Sequence, residues 1–151
     1  MWMDEQVVRG LYDSLISAWN QQDAAGMAGC FAETGNIIGF DGSQMTGPAE
    51  IETTISTIFS HHRTGRYYPI VREVRQIGSD VALLRADVGM VPTGQDDIDP
   101  DLNAVQSLVA HNRAGSWRIE LFQNTPSALH SQTEARETLT AELRDLLAAS
   151  R

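Results

Sequence analysis

The apolar residues of this chain change period once, at Arg66, and that change limits the folds open to it. Before Arg66 they recur every three or four residues, the spacing of helices; after it they run in blocks with the two-residue alternation of strands. Val8, Leu11, Tyr12, Leu15, Ala18 and Trp19 make one face of a first helix, with Asp4 at its N-cap. Asp23 caps a short second helix through Ala24, Met27 and Phe31, and a short strand over 36–40 turns at Gly42-Ser43. Gly47-Pro48-Ala49-Glu50 then starts a third helix, because proline has no N–H to leave unpaired at the first helical position. That helix carries Ile51, Ile55, Ile58 and Phe59 and stops before Gly65.

Four longer strands follow, over 67–77, 81–91, 103–112 and 117–125. They are separated by Gly78-Ser79-Asp80, by a Pro/Gly/Asp-rich stretch over 92–101 and by Arg113-Ala114-Gly115-Ser116. Helices grouped first and strands grouped later predict an α+β fold with an antiparallel sheet. A last segment stands apart. Ser131-Gln132-Thr133-Glu134 reads as a capping box, and Leu139, Leu143, Leu146 and Leu147 form an apolar stripe at helical spacing. The expected organisation is one domain over 1–130 and a C-terminal amphipathic helix over 131–151, whose stripe needs cover from its own chain or from a partner.

The strands have no wet side. In 81–90 one parity holds Val81, Leu83, Arg85 and Asp87, and the other Ala82, Leu84, Ala86, Val88 and Met90. An antiparallel sheet with one solvated face would place polar residues on a single parity. Three helices can cover one side, and the other is expected to meet a second copy in a symmetric homodimer. The alternative is that the C-terminal helix covers that side in a monomer.

Composition narrows the partners. At 151 residues, with 42% hydrophobic and 21% charged residues, the chain has the make-up of one folded domain. Its net charge of −9 repels phosphate backbones and anionic headgroups, so neither nucleic acid nor a membrane is expected as a partner. The single cysteine, Cys30, excludes an internal disulfide and reads as a small buried filler. No run of eighteen apolar residues and no basic-then-apolar leader occur, so a cytoplasmic protein is expected. No His/Cys spacing suits zinc, and no glycine loop suits a nucleotide. Asp97-Ile98-Asp99-Pro100-Asp101 mimics a calcium loop, but Leu102 and Leu108 replace its glycine and terminal glutamate, so it is expected as solvated surface at a pocket's rim. No metal and no cofactor are expected.

The order of elements, together with Trp19-Asn-Gln-Gln-Asp23, Phe31-Ala-Glu, Gly47-Pro-Ala-Glu-Ile51, Gly115-Ser-Trp117-Arg-Ile119 and Phe122-Gln-Asn-Thr125, resembles the nuclear transport factor 2-like (SnoaL-like) superfamily. Within it the chain is most similar to the SgcJ/EcaC branch, found with secondary-metabolite pathways, often of enediynes or other polyketides. The resemblance spans roughly residues 4–126. It implies a cone-shaped, strongly curved sheet wrapped over three N-terminal helices, with an apolar pocket at the wide end, usually in a dimer. That fold hosts isomerases, dehydratases, hydrolases and pure binders, so function rests on the site. Ketosteroid isomerases of the fold use a tyrosine and two aspartates, the handling of whose pKa values is well known. Leu15, Gly39 and Ser107 stand at those places here, and none can do that work.

Two sets of candidates remain. Arg85-Ala86-Asp87 has the spacing of the Arg-x-Asp pair in limonene epoxide hydrolase-like members, which puts both side chains on one strand face. A guanidinium there would hold Asp87 ionised, as a base acting on water requires. The plainer reading is a strand salt bridge or a dimer-face pair. Trp19, Phe122 and Asn124 align with pocket-lining positions, and an aromatic pair with an amide suits a flat, conjugated ligand. Phe40, Phe59, His62, Tyr68 and Ser107 join them as ligand-binding candidates. One of Tyr67 and Tyr68 must face inward, and His61-His62-Arg63 also suits a helix C-terminus. The expected function is binding of a small, largely apolar, polyketide-like molecule, with a pocket enzyme using Asp87 oriented by Arg85 as the alternative. The direction of Arg85 and Asp87, into the cavity or away from it, separates the two.

Overall fold

A computed structural model describes residues 2–151, with three helices before Arg66 and the four longest strands from Arg66 on. Helices α1 (Glu5–Asn20) and α2 (Ala24–Ala28) lead into strands β1 (Phe31–Ile38) and β2 (Gln44–Thr46) and helix α3 (Pro48–His61). Strands β3 (Arg66–Gln76), β4 (Val81–Val91), β5 (Ala104–Arg113) and β6 (Ser116–Pro126) follow, with a 3-10 turn over Pro100–Leu102 before β5. Helix α4 (Thr133–Ala149) ends the chain. The α+β class, the curved sheet and the C-terminal helix agree with the sequence reading, and the sheet has six strands where that reading gives five.

The strands lie in the order β2-β1-β6-β5-β4-β3. All neighbours are antiparallel except β1 and β6, which run parallel with Ile37 beside Phe122. A wholly antiparallel sheet was the expectation; the long stretch between β1 and β6 supplies the crossover a parallel pair needs. Short-range patterning also missed β2, and β1 begins at Phe31, which the helical spacing had assigned to α2. Single extra residues at Arg72 in β3 and Glu120 in β6 bulge the ladder and bend the sheet.

The concave face packs on the helices. Ala82, Leu84 and Ala86 of β4, Leu108 and Ala110 of β5, and Ile119 and Phe122 of β6 meet Val8, Tyr12 and Leu15 of α1 and Ile51 and Ile55 of α3. Local chemistry sets the helix ends. The Asp23 carboxylate accepts from the Gly26 N–H at 2.9 Å, and Gly47, at a φ of +84°, turns the chain into Pro48. Glu50 reaches back to accept from the Thr46 N–H at 3.1 Å. Two expected caps do not form. Asp4 accepts from the Trp117 indole N–H at 3.1 Å instead of from its own helix, and α4 starts after Gln132 with no capping box.

Helix α4 docks on its own chain. Leu139, Leu143 and Leu147 bury against Val91 and Ile98, with Tyr68, Ile70 and Leu129 around them, on the convex face of β3 and β4. Arg72 donates to Asp87 at 2.7 Å and to both oxygens of Glu142 at 3.0 Å, tying strand to helix. The acidic 92–101 stretch is part of the same contact. Arg144 donates to Asp97 at 3.1 Å and Arg136 pairs with Asp101, so this loop lies under α4 and not at the rim of the cavity described below.

Candidate functional site

Trp19 at the end of α1, Tyr67 at the start of β3 and Phe122 of β6 line one cavity of about 330 Å³. Its apolar floor comes from Met27, Ile37, Met45, Ile55 and Ile58, and the turn carrying Phe40, Asp41 and Ser43 closes one side. The volume falls within the range of ~300–1,000 Å³ typical of small-molecule sites. The rings are held in place. The Trp19 indole N–H donates to the Gly65 carbonyl at 3.0 Å, and its ring lies 5.4 Å from that of Tyr67. The Asn20 side chain grips the Tyr67 backbone from both sides, accepting from its N–H at 2.8 Å and donating to its carbonyl at 3.0 Å.

A series of polar side chains crosses the otherwise apolar interior behind this cavity. Tyr12 Oη donates to Gln106 Oε1 at 2.6 Å, Gln106 Nε2 to Asn124 Oδ1 at 3.4 Å, and Asn124 Nδ2 to Tyr67 Oη at 3.1 Å. Gln106 and Asn124 sit opposite one another in the β5–β6 register, which is why one bond joins them. Tyr12 and Gln106 are fully buried, and burial pushes the Tyr12 phenol well above the usual tyrosine range and raises that of Tyr67. Both rings are therefore neutral at physiological pH. The one carboxylate in the cavity wall is Asp41, whose oxygen accepts from the Ser43 N–H at 2.9 Å and hydroxyl at 2.6 Å. Those bonds from Ser43 hold Asp41 below the ordinary carboxylate range.

Of the residues singled out in the sequence, Trp19, Phe40, Phe122 and Asn124 meet at this cavity. Five others do not. Phe59 stands behind Trp19, edge-on at 5.3 Å, and supports that ring without reaching the space. His62 is exposed past the end of α3, where its backbone N–H bonds the Ile58 carbonyl at 2.9 Å. Tyr68 faces the convex side and packs under α4, which leaves Tyr67 as the inward ring. Ser107 lies opposite Arg85 in the β4–β5 register, and with Asp87 all three sit on the convex face, away from the cavity.

The proposed pairing of Arg85 with Asp87 also dissolves. Arg85 contacts Glu73 at 3.3 Å, and the guanidinium beside Asp87 belongs to Arg72, placed there by the bulge. A signal in the sequence pointed to this outcome: Ala82, Ala86 and Ala110 share one face, and small side chains suit the side where helices lie close. Tyr67, Tyr12 and Gln106 were the residues that sequence reasoning missed. Cys30 is buried, its thiol near the Gly26 carbonyl at 3.5 Å, as a filler would be. Among the described residues no group of His, Cys, Asp and Glu is placed to hold a metal ion, and no helix is long and apolar enough to cross a membrane.

Solved structures share this architecture. A domain of unknown function with a cystatin-like fold from Nostoc punctiforme superposes with a TM-score of 0.81 at 24% identity, covering 99% of this chain and 97% of that one. A ketosteroid isomerase-like protein from Erwinia carotovora atroseptica gives 0.67 at 16% identity over 84% and 98% of the two chains. An NTF-2 like protein of unknown function from Shewanella oneidensis gives 0.63 at 15% identity over 82% and 99%. At such identities the likeness is one of fold. No curated protein sequence matches the chain. The model of the SnoaL-like domain matches residues 8–124, which take in nearly all of α1 to α3 and of the sheet, with the cavity wall, and leave α4 outside. The chain therefore belongs to the SnoaL-like domain family.

Proposed function

We propose that this protein binds a small, largely apolar, polyketide-like molecule in the cavity, as a binder or accessory protein of secondary-metabolite biosynthesis. The observation that carries the reading is the wall of that cavity: aromatic rings and apolar side chains, one amide and one phenol, and a single carboxylate already engaged by Ser43. Such a wall can recognise shape and one polar point, but it offers no free base or nucleophile. The sequence motifs shared with the SgcJ/EcaC branch favour a polyketide-type guest. The enzyme reading built on Asp87 has no geometric support, since that carboxylate is held by Arg72 on the opposite side of the sheet.

Two copies pair, in this proposal, through the part of the convex face that α4 leaves uncovered. Leu83, Val109 and Leu121 stand side by side there across β4, β5 and β6, half-buried in the single chain. The reading is tested by a thermal-shift screen against flat polyenes and aromatic polyketides. A guest at 100 times its dissociation constant adds ~2.7 kcal/mol, a rise of several degrees for a domain of this size. Phe122→Ala should abolish the shift, and Asp87→Asn should leave it unchanged. A screen without any shift overturns the binding reading.

A further inference from the structure

The hydrogen bonds behind the cavity have a direction, and burial sets it. A carboxamide can present either end, so two runs through the same four side chains are conceivable. In one, Tyr12 donates to Gln106, Gln106 to Asn124 and Asn124 to Tyr67, which leaves the Tyr67 hydroxyl hydrogen without a partner in the series. In the other every bond is reversed, and the unpaired hydrogen belongs to Tyr12. Tyr12 is 0% exposed, and Gln106 Oε1 is the one acceptor its hydroxyl meets among the described residues. Stranding that hydrogen in the apolar core would cost about 1–3 kcal/mol. At Tyr67, which lines the cavity, the hydrogen faces space that a guest can fill.

Resting on the reading of the cavity as a binding site, we infer that Tyr67 Oη is a fixed hydrogen-bond donor to a carbonyl oxygen of the guest, and that the ligands are small conjugated ketones or quinones. The Trp19 indole N–H cannot compete for that oxygen, because Gly65 already takes it. Asn124 accepts from Gln106 and donates to Tyr67, so the amide acts mainly to orient the phenol. Its neighbours fix the ring: Trp19 lies against it and Asn20 clamps its backbone. The polarity of the series reaches the phenol with each bond strengthening the next. A carbonyl conjugated to a flat ring is thereby matched twice, by the ring stack and by one donor, whereas a hydrocarbon of the same shape leaves the phenol unpaired.

The test compares 1-tetralone with tetralin, which differ by the carbonyl alone. By calorimetry the wild type should bind tetralone roughly 2- to 10-fold more tightly than tetralin. Tyr67→Phe should bring the two to equal affinity, with tetralin unchanged. The carbonyl infrared band of bound tetralone should lie below its position in hexane for the wild type and return to it in the variant. Equal wild-type affinities, a band at the hexane position, or a ratio that survives Tyr67→Phe would overturn the assignment while leaving the apolar site intact. Binding of neither probe would overturn the site itself. If Tyr67→Phe does not fold, the wild-type ratio and band decide the matter alone.

Discussion

Tyr12 was legible in the sequence as part of an apolar helix face, and it is indeed among the most buried residues of the molecule. Its hydroxyl was not legible, because its partner lies on β5, and periodicity says which side chains go inside but not which of them meet. Tyr12→Phe should therefore destabilise the fold by about 1–3 kcal/mol, more than its lost volume explains, by leaving Gln106 Oε1 unpaired in the core. Urea unfolding of the variant checks this; a loss well below that range would mean that Gln106 finds another donor. The Tyr67-Tyr68 choice was closed to sequence reasoning for a different reason. Both sides of β3 are apolar, and the contact that decides the parity, Asn20 holding Tyr67, joins the end of a helix to a strand far along the chain. The Arg85/Asp87 spacing gave the shared face correctly and the wrong partner, because the Arg72 bulge inserts a guanidinium that two-residue alternation does not foresee.

Among the elements, α4 was readable as a helix with a leucine stripe, but its docking place was not, since a stripe specifies cover and not an address. Leu143 is fully buried in that contact, and Leu143→Ala should cost about 2–5 kcal/mol in stability. Hydrogen exchange should show α4 and the 92–101 loop deprotected first. Two carboxylates in the same contact are held below their ordinary values, Glu142 by hydrogen bonds from Arg72 and Asp97 by one from Arg144. A lowered folded-state pKa stabilises the contact above the ordinary values, 4.5 for Glu142 and 3.8 for Asp97. That stabilisation is lost as pH falls through the lowered ones. Acidification below about pH 4.5 should thus loosen α4 before the rest of the fold. Glu142→Gln should flatten that part of the pH profile, and a profile identical to wild type would rule out its contribution. Both carboxylates are largely exposed, so the effect is small and shrinks with added salt.

At the scale of the whole molecule, the class and order of elements followed from one change of period, while the parallel seam between β1 and β6 did not, because strand partners distant in sequence leave no local mark. The two apolar strand faces were also legible, and each has a different cover: helices α1 to α3 on the concave side, and α4 over only part of the convex side. The remaining row of Leu83, Val109 and Leu121 leads to a prediction of size. Sedimentation should give twice the single-chain mass of 16.6 kDa, and Val109→Asp should return it to one. A wild type that sediments as one chain at micromolar concentration removes the proposed pairing.

The seam between β1 and β6 also sets a schedule. Ile37 and Phe122, neighbours across it, line the same hollow. Ile37 leaves the ribosome well before Phe122, so a guest could not lodge until β6 has emerged and zipped against β1. A guest lodged there as proposed would touch both halves of the sheet and act as a rivet, slowing the tearing of the joint that closes last.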